Sequence, residues 1–278
     1  MSLWFELVAS GLITGGIYAV VAIGLNLQYG LMRILNISHG EFLMLGAYLT
    51  WLGYTVLQVN PLVFLPVVAL VLFVAGVLVY RLCFYRIVST APAVEVIEAR
   101  SLLVGFGLLY LVQNAAYLVW GADLRGYSFL AEPVELAGAR FTENRLVVFA
   151  FAVGASLLLL AVLRFTLVGK AVRAMMQSPT GAQLVGIDTK ILHPAVFGAG
   201  LALAGVAGAL LSMVFEISPA MGEPYTVTAL IVIVLGGFLL GLVETFGMHF
   251  TSPSLKMVLS YGVLIAVLLA RPRGLFAR

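Results

Sequence analysis

The chain has 278 residues, with 15 lysines and arginines against 12 aspartates and glutamates, and its formal net charge is +3. Hydrophobic residues make up 63% of the chain and charged residues only 10%, whereas a soluble globular protein carries about 25% charged residues. These figures exclude a water-facing globular surface, a disordered chain and a nucleic-acid-binding protein. The sequence therefore predicts an all-α, polytopic membrane helix bundle, formed by one transmembrane domain over residues 1–278.

Eight segments reach or nearly reach the length of about 17–25 apolar residues that a bilayer-spanning helix needs. The predicted spans, in chain order, are Phe5–Tyr29, Ile37–Leu57, Pro61–Leu82, Ser101–Trp120, Leu146–Leu163, Pro194–Phe215, Tyr225–Phe246 and Leu255–Ala270. No positively charged region precedes Phe5, so the first span is not predicted to be a cleaved secretory signal. The single cysteine, Cys83, excludes a disulfide framework and a cysteine zinc site.

The distribution of lysine and arginine predicts the orientation of the bundle. The connections before the fourth and the sixth spans are basic, whereas those after the second and the sixth spans carry no lysine or arginine. Because basic loops stay in the cytoplasm, the N terminus is expected outside. Eight spans would then put the tail outside although it carries Arg271, Arg273 and Arg278, and this conflict favours a different number of spans near the C terminus.

The most polar stretch at membrane level runs from Gly24 to Glu41. Ser38 and Glu41 fit a capping box, in which the serine hydroxyl bonds the Glu41 amide and the carboxylate bonds back to the Ser38 amide. Alternatively, the stretch lines a translocation path or gate. His39 and Glu41 lie two positions apart on a helix and face different sides, which argues against a metal pair. The candidate path residues here are Asn26, Gln28, Asn36, His39 and Glu41.

Three further polar residues interrupt apolar spans. Gln113 and Asn114, in the fourth span, either join helices through interhelical hydrogen bonds or contact a substrate. Glu244, near the end of the seventh span, is either an interfacial carboxylate or a part of the path. The many small residues of Gly198–Leu211 predict close packing between helices.

The large basic loop contains a short helix with defined ends. Ser178 is the predicted N-cap, Pro179 the first helical residue and Gly186 the stop signal, which together predict a helix over Pro179–Val185. Such a helix either docks into a groove of another protein or lies on the membrane surface.

Four separate motifs resemble those of branched-chain amino acid ABC transporter permeases of the LivH type, and they occur in the same order as in that family. The resemblance runs nearly from end to end, through Gly11–Tyr48, Gly169–Ile187, Leu239–Glu244 and Arg271–Phe276. It implies a non-enzymatic permease subunit of an ABC importer that works by ATP-driven alternating access. The segment matching the family's cytoplasmic loop supplies the residues expected to couple to the ATPase: Arg173, Ser178, Pro179, Ala182, Leu184, Gly186, Ile187 and Asp188.

The resemblance also implies the partners: two ABC ATPase subunits, a second, LivM-like permease and an extracytoplasmic substrate-binding protein. The expected location is the bacterial inner membrane, as a multi-pass protein in the lipid bilayer. The chain has no phosphate-binding loop of the G-x-x-x-x-G-K-[ST] type. No cofactor is therefore expected in this chain, and ATP is expected to bind the partner subunits.

The chain departs from the family pattern at three places. Ser178 replaces the usual aspartate, Gly181 replaces the usual alanine, and the segment Leu235–Gly241 lacks a second glycine-rich stretch. This shortening is expected to merge two half-spans, so that Tyr225–Phe246 crosses the membrane once without a re-entrant turn.

Three alternatives remain open on the sequence. Related ABC permeases carry amides, urea or other amino acids. A passive channel of the aquaporin type is disfavoured because its paired Asn-Pro-Ala motifs are missing, since Asn60 and Pro61 are followed by Leu62. An intramembrane enzyme is disfavoured because neither H-E-x-x-H nor G-x-S-x-G occurs.

Overall fold

The computed structural model describes residues 2–136, 139–252 and 255–270, and these residues are mostly helical. A π-helical turn, Tyr80–Phe84, follows the third helix directly, and a two-stranded antiparallel hairpin precedes the sixth. The elements are α1 Ser2–Met32, α2 His39–Thr55, α3 Pro61–Val79, α4 Tyr85–Thr90, α5 Val94–Trp120, β1 Pro133–Leu136, β2 Ala139–Thr142, α6 Glu143–Phe165, α7 Leu167–Gln177, α8 Pro179–Leu184, α9 Thr189–Leu211, α10 Gly222–Leu235, α11 Gly237–Phe250 and α12 Lys256–Ala270.

Five helical stretches among the described residues are long and apolar enough to cross a membrane, which confirms the predicted polytopic bundle. The predicted number of eight spans is approximate. α2 has 17 residues, the lower limit for a crossing, and α12 has 15, which is below it. α10 and α11 form a bent pair. The five stretches are Trp4–Met32, Pro61–Thr90, Val94–Trp120, Glu143–Phe165 and Thr189–Leu211.

The centre of the bundle depends on two reciprocal glycine contacts. α1 meets α9 at Gly24 and Gly200, where the carbonyl oxygen of Gly200 lies 2.6 Å from the position that a β-carbon of Gly24 would occupy. A β-carbon on Gly200 would in turn lie 2.7 Å from the carbonyl oxygen of Gly24. α2 and α10 begin side by side in the same way, with Gly40 against Gly222. As the sequence predicted for Gly198–Leu211, small residues allow these backbones to touch.

The expectation that Tyr225–Phe246 forms one uninterrupted helix is wrong. The segment breaks at Gly236, which adopts a φ of +89°, and the axes of α10 and α11 differ by 114°. A left-handed conformation at this residue is accessible to glycine at little cost. α11 then runs back along the first half of α1, with Gly237 packed on Gly15 and Phe250 against Trp4.

α12 runs antiparallel to α11 and reaches the second half of α1. Gly247 packs on Leu259, and Leu264 lines one cavity together with Leu25 and Tyr29. The basic loop lies at the same end of α1, where Met176 contacts Gly30. α12 therefore leads toward the end of the bundle at which the basic loop lies. The arginines of the tail, Arg271, Arg273 and Arg278, lie outside the described residues.

The loop between α5 and α6 closes the opposite end of the bundle. Arg125 and Ile217 form a β-bridge, and the Tyr127 and Ser212 hydroxyls are 2.9 Å apart. Burial raises the pKa of Tyr127 to about 12, so this hydroxyl stays protonated and available for hydrogen bonding. The loop is thereby fixed to the end of α9.

Candidate functional site

The short helix of the basic loop has the ends that the sequence predicted. The Ser178 hydroxyl accepts a hydrogen bond from the Gly181 amide at 3.1 Å, and Pro179 occupies the first helical position. The Gly186 amide donates to the Gln183 carbonyl at 3.0 Å, and Gly186 has a φ of +90°. The predicted helix is confirmed, although it ends at Leu184 rather than at Val185.

α8 presents two apolar side chains to the outside. Leu184 is 84% exposed and Val185 is 77% exposed, whereas Ala182 is buried under the helix. We call Leu184 and Val185 the coupling surface.

Three other predicted coupling residues make hydrogen bonds in the segments on either side of α8. The Arg173 guanidinium donates to the carbonyl of Leu163 at the end of α6. The Asp188 carboxylate caps α9 by accepting from the Lys190 amide at 2.8 Å. The Ile187 amide donates to the Ala182 carbonyl at 3.1 Å.

Polar side chains between α1 and α2 form a chain of hydrogen bonds. The Gln28 amide group donates to the Phe197 carbonyl at 3.3 Å, and the Asn36 amide group donates to Gln28 Oε1 at 3.0 Å. The Ser38 hydroxyl donates to Asn36 Oδ1 at 2.7 Å. The predicted capping box is therefore wrong, because Asn36 engages the Ser38 hydroxyl and the side chain of Ser38 caps no amide of α2.

Glu41 has no hydrogen-bond partner for either carboxylate oxygen among the described residues, although the residue is fully buried. One of its oxygens, Oε1, lies 2.6 Å from the position of a hypothetical β-carbon on Gly222, at the start of α10. His39 faces the other way and places Nε2 3.1 Å from the Val21 carbonyl of α1. The two side chains separate as the sequence predicted.

Glu244 lies in the bundle interior, where it is 2% exposed. Its carboxylate accepts hydrogen bonds from the Tyr18 hydroxyl at 2.8 Å and from the Ser260 hydroxyl at 2.6 Å. The three residues connect α1, α11 and α12. Together with Glu216 and Tyr225, they line a cavity of about 300 Å³.

The other candidate path residues do not join these clusters. Asn26 is exposed on α1, and the Asn114 side chain donates to the Tyr110 carbonyl of its own helix at 2.7 Å. Gln113 is half-buried on α5. The sequence analysis missed Tyr18, Ser260 and Thr226, whose hydroxyl accepts from the Gly40 amide at 2.7 Å. A single hydroxyl on an apolar helix forms no recognisable sequence motif, since its hydrogen-bond partner lies far away in the chain.

The fold and these sites define a multi-pass helical membrane protein with a capped, exposed helix at one face and polar clusters in its interior. The family model described as branched-chain amino acid transport system / permease component matches residues 7–268. The chain therefore belongs to this family of transport permeases, which confirms the resemblance seen in the sequence.

Curated relatives cover nearly the whole chain. The high-affinity branched-chain amino acid transport system permease protein BraD of Pseudomonas aeruginosa is 28% identical over 295 positions, covering 99% of this chain and 96% of the relative. LivH of Salmonella typhimurium, a permease protein described in the same words, is 27% identical, covering 97% and 94%. The probable branched-chain amino acid transport permease protein LivH of Methanocaldococcus jannaschii is 25% identical, covering 95% and 90%. No solved structure gives a significant match to the chain.

Proposed function

We propose that this chain is the membrane permease subunit of an ABC importer for branched-chain amino acids. The observation that carries the proposal is the near-complete match to permeases of such transport systems. The capped and exposed helix α8 supports it, because a permease without a nucleotide site needs a contact surface for its ATPases.

The importer consists of this permease, a second, LivM-like permease, two ABC ATPases and an extracytoplasmic binding protein. It lies in the bacterial inner membrane, with α8 in the cytoplasm. ATP binds the ATPase subunits, and this chain holds no cofactor. ATP favours one of two states of the ATPase pair and thereby shifts the permease equilibrium.

Within the chain, the movement passes from α8 to α9 and then to α1. Asp188 joins the end of the α8 segment to the first turn of α9. α9 touches α1 at Gly24 and Gly200, and α2 at Gly46 and Gly205. Because close-packed interfaces change between discrete arrangements rather than continuously, displacement of α8 moves the helices that surround Glu41.

The proposed function is tested by reconstituting the whole importer in proteoliposomes. ATP-dependent accumulation of radiolabelled leucine is expected, with competition by unlabelled isoleucine and valine and none by urea or acetamide. An importer with an inactive ATPase subunit serves as the control and is expected to accumulate nothing. Competition by urea or acetamide alone would instead favour the related amide and urea permeases.

Glu41→Gln is expected to leave the permease folded and to reduce leucine uptake. The carboxylate has no hydrogen-bond partner among the described residues, so a neutral amide of nearly the same size breaks no hydrogen bond, and the expected change in the free energy of unfolding is about 1 kcal/mol. If the carboxylate lines the path, uptake falls by about tenfold, which corresponds to about 1.4 kcal/mol. The measurements are leucine uptake and permease abundance in the same membranes. Glu6→Gln, at an exposed position of α1, is the control, and parallel losses of uptake and abundance would exclude a path role.

A further inference from the structure

A cavity of about 450 Å³ lies at the basic end of the bundle, where α1 ends and α9 begins. We call it the basic cavity. Its polar lining includes Arg33, Lys190 and His193, together with Tyr80, Tyr85 and Ser89. None of its lining residues is acidic. The cavity is therefore suited to an anion.

The two cationic side chains have no carboxylate partner in the described part of the chain. Arg33 donates to the Tyr29 hydroxyl at 3.3 Å, and that hydroxyl in turn donates to Glu98 at 2.9 Å. The carboxylate of Asp188 accepts from the backbone amide of Lys190. Both positive charges thus remain available to a ligand.

The backbone around the basic cavity shows two unusual features. Arg33 has a φ of +55°, a conformation that residues other than glycine seldom adopt. The π-helical turn that begins at Tyr80 forms part of the wall, and such turns are frequent at functional sites. His193 Nδ1 lies 3.2 Å from the Tyr80 hydroxyl, while the buried Nε2 atom has no hydrogen-bond partner among the described residues.

The lining of the basic cavity also includes aliphatic residues, among them Leu31, Val88 and Ile97. A ligand that matches both the cationic and the aliphatic residues of the lining carries a negative charge next to a hydrocarbon portion. Phospholipids of the cytoplasmic leaflet have this chemistry, since that leaflet is enriched in anionic headgroups and basic pockets between helices bind them. A soluble phosphate would satisfy the cations and leave the aliphatic residues of the lining without a partner.

We propose that the basic cavity binds the phosphate headgroup of an anionic phospholipid through Arg33 and Lys190. The cytoplasmic position of the cavity rests on the orientation given in the proposed function. Pro179 and Gln183 of α8 also line the cavity, so the bound lipid contacts α8 together with α1 and α9. Its presence would favour one position of α8.

The experiment measures retention of phosphatidylglycerol by the purified full-length permease in phosphatidylcholine nanodiscs, using native mass spectrometry. Wild-type protein is expected to retain phosphatidylglycerol, and the double variant Arg33→Gln/Lys190→Gln is expected to bind it about tenfold more weakly, a loss of about 1.4 kcal/mol. The control, Arg100→Gln/Lys170→Gln, removes the same charge at exposed positions outside the lining. Lys190→Gln alone, at an exposed residue, serves as the second variant if the double variant does not fold.

Unchanged retention in the cavity variants, or equal loss in the control, would overturn the proposal. Binding of inorganic phosphate that depends on Arg33 and Lys190, without a change in phosphatidylglycerol retention, would identify a soluble anion instead. Loss of ATPase association with full lipid retention would identify an acidic group of the ATPase as the occupant. Since retention is measured without transport, a failed uptake assay and a failed lipid assay remain distinguishable.

Discussion

Leu184→Asp is expected to detach the ATPase subunits while the permease stays folded in the membrane. Leu184 is 84% exposed, so the substitution removes little packing within the chain. In the assembled importer, a buried leucine contributes about 1.5–3 kcal/mol, and an unpaired carboxylate in its place adds a desolvation penalty. The ATPase affinity should therefore fall about 100-fold, equivalent to about 2.8 kcal/mol. Co-purification of the ATPase with the tagged permease measures this directly.

Thr180→Asp is the matched control for this prediction. Thr180 is exposed on the same helix, and a carboxylate there adds the same charge near the helix N terminus, where it is tolerated. Co-purification is expected to stay near the wild-type level. If Leu184→Asp retained the ATPase and normal uptake, the coupling surface would be assigned wrongly. If Thr180→Asp reduced co-purification of the ATPase equally, the added charge rather than the lost apolar contact would explain the effect of Leu184→Asp.

The α8 helix could be read from the sequence because its determinants are local. Ser178, Pro179 and Gly186 each act within three residues of their own position, through the side-chain cap, the fixed φ of proline and the left-handed stop. Replacement of the family's aspartate by Ser178 preserved the cap, since a serine oxygen also accepts from the helix amides.

The polar interior could not be read in the same way. Ser38 and Glu41 have the spacing of a capping box, yet Asn36 competes for the Ser38 hydroxyl at 2.7 Å. The Glu41 carboxylate is enclosed by α10, where it lies next to Gly222. This residue comes more than 180 positions later in the chain. The bond between Tyr18 and Glu244 joins residues 226 positions apart. Local spacing carries no information about such contacts.

The break at Gly236 shows a second limit of sequence reasoning. Hydropathy makes no distinction between one span and two short helices, because both are apolar throughout. The direction of α11 is determined instead by its packing against α1, where Gly15 and Gly237 approach so closely that a β-carbon on Gly15 would lie 2.6 Å from the Gly237 carbonyl oxygen.

Gly40→Ala is expected to force α2 and α10 apart and to destabilise the bundle. A β-carbon at Gly40 would overlap the Gly222 carbonyl oxygen and the Thr226 hydroxyl, and that hydroxyl accepts the Gly40 amide proton. Membrane helices depend on such close packing because lipid supplies no hydrophobic drive for their association. The free energy of unfolding is expected to fall by about 1–3 kcal/mol. The measurements are the thermal midpoint in detergent and the abundance in the membrane, both of which should be lower.

Gly107→Ala provides the matched control, because a β-carbon at Gly107 meets nothing within 4 Å. Both substitutions add one methyl group to a helix, and alanine gains up to about 1 kcal/mol in helix propensity over glycine in a helix interior. Gly107→Ala should therefore match or exceed the wild-type thermal midpoint. Equal stability of the two variants would show that α2 and α10 do not touch at Gly40. If only Gly40→Ala lowers the thermal midpoint and also abolishes uptake, the contact between α2 and α10 is required for a transport-competent bundle.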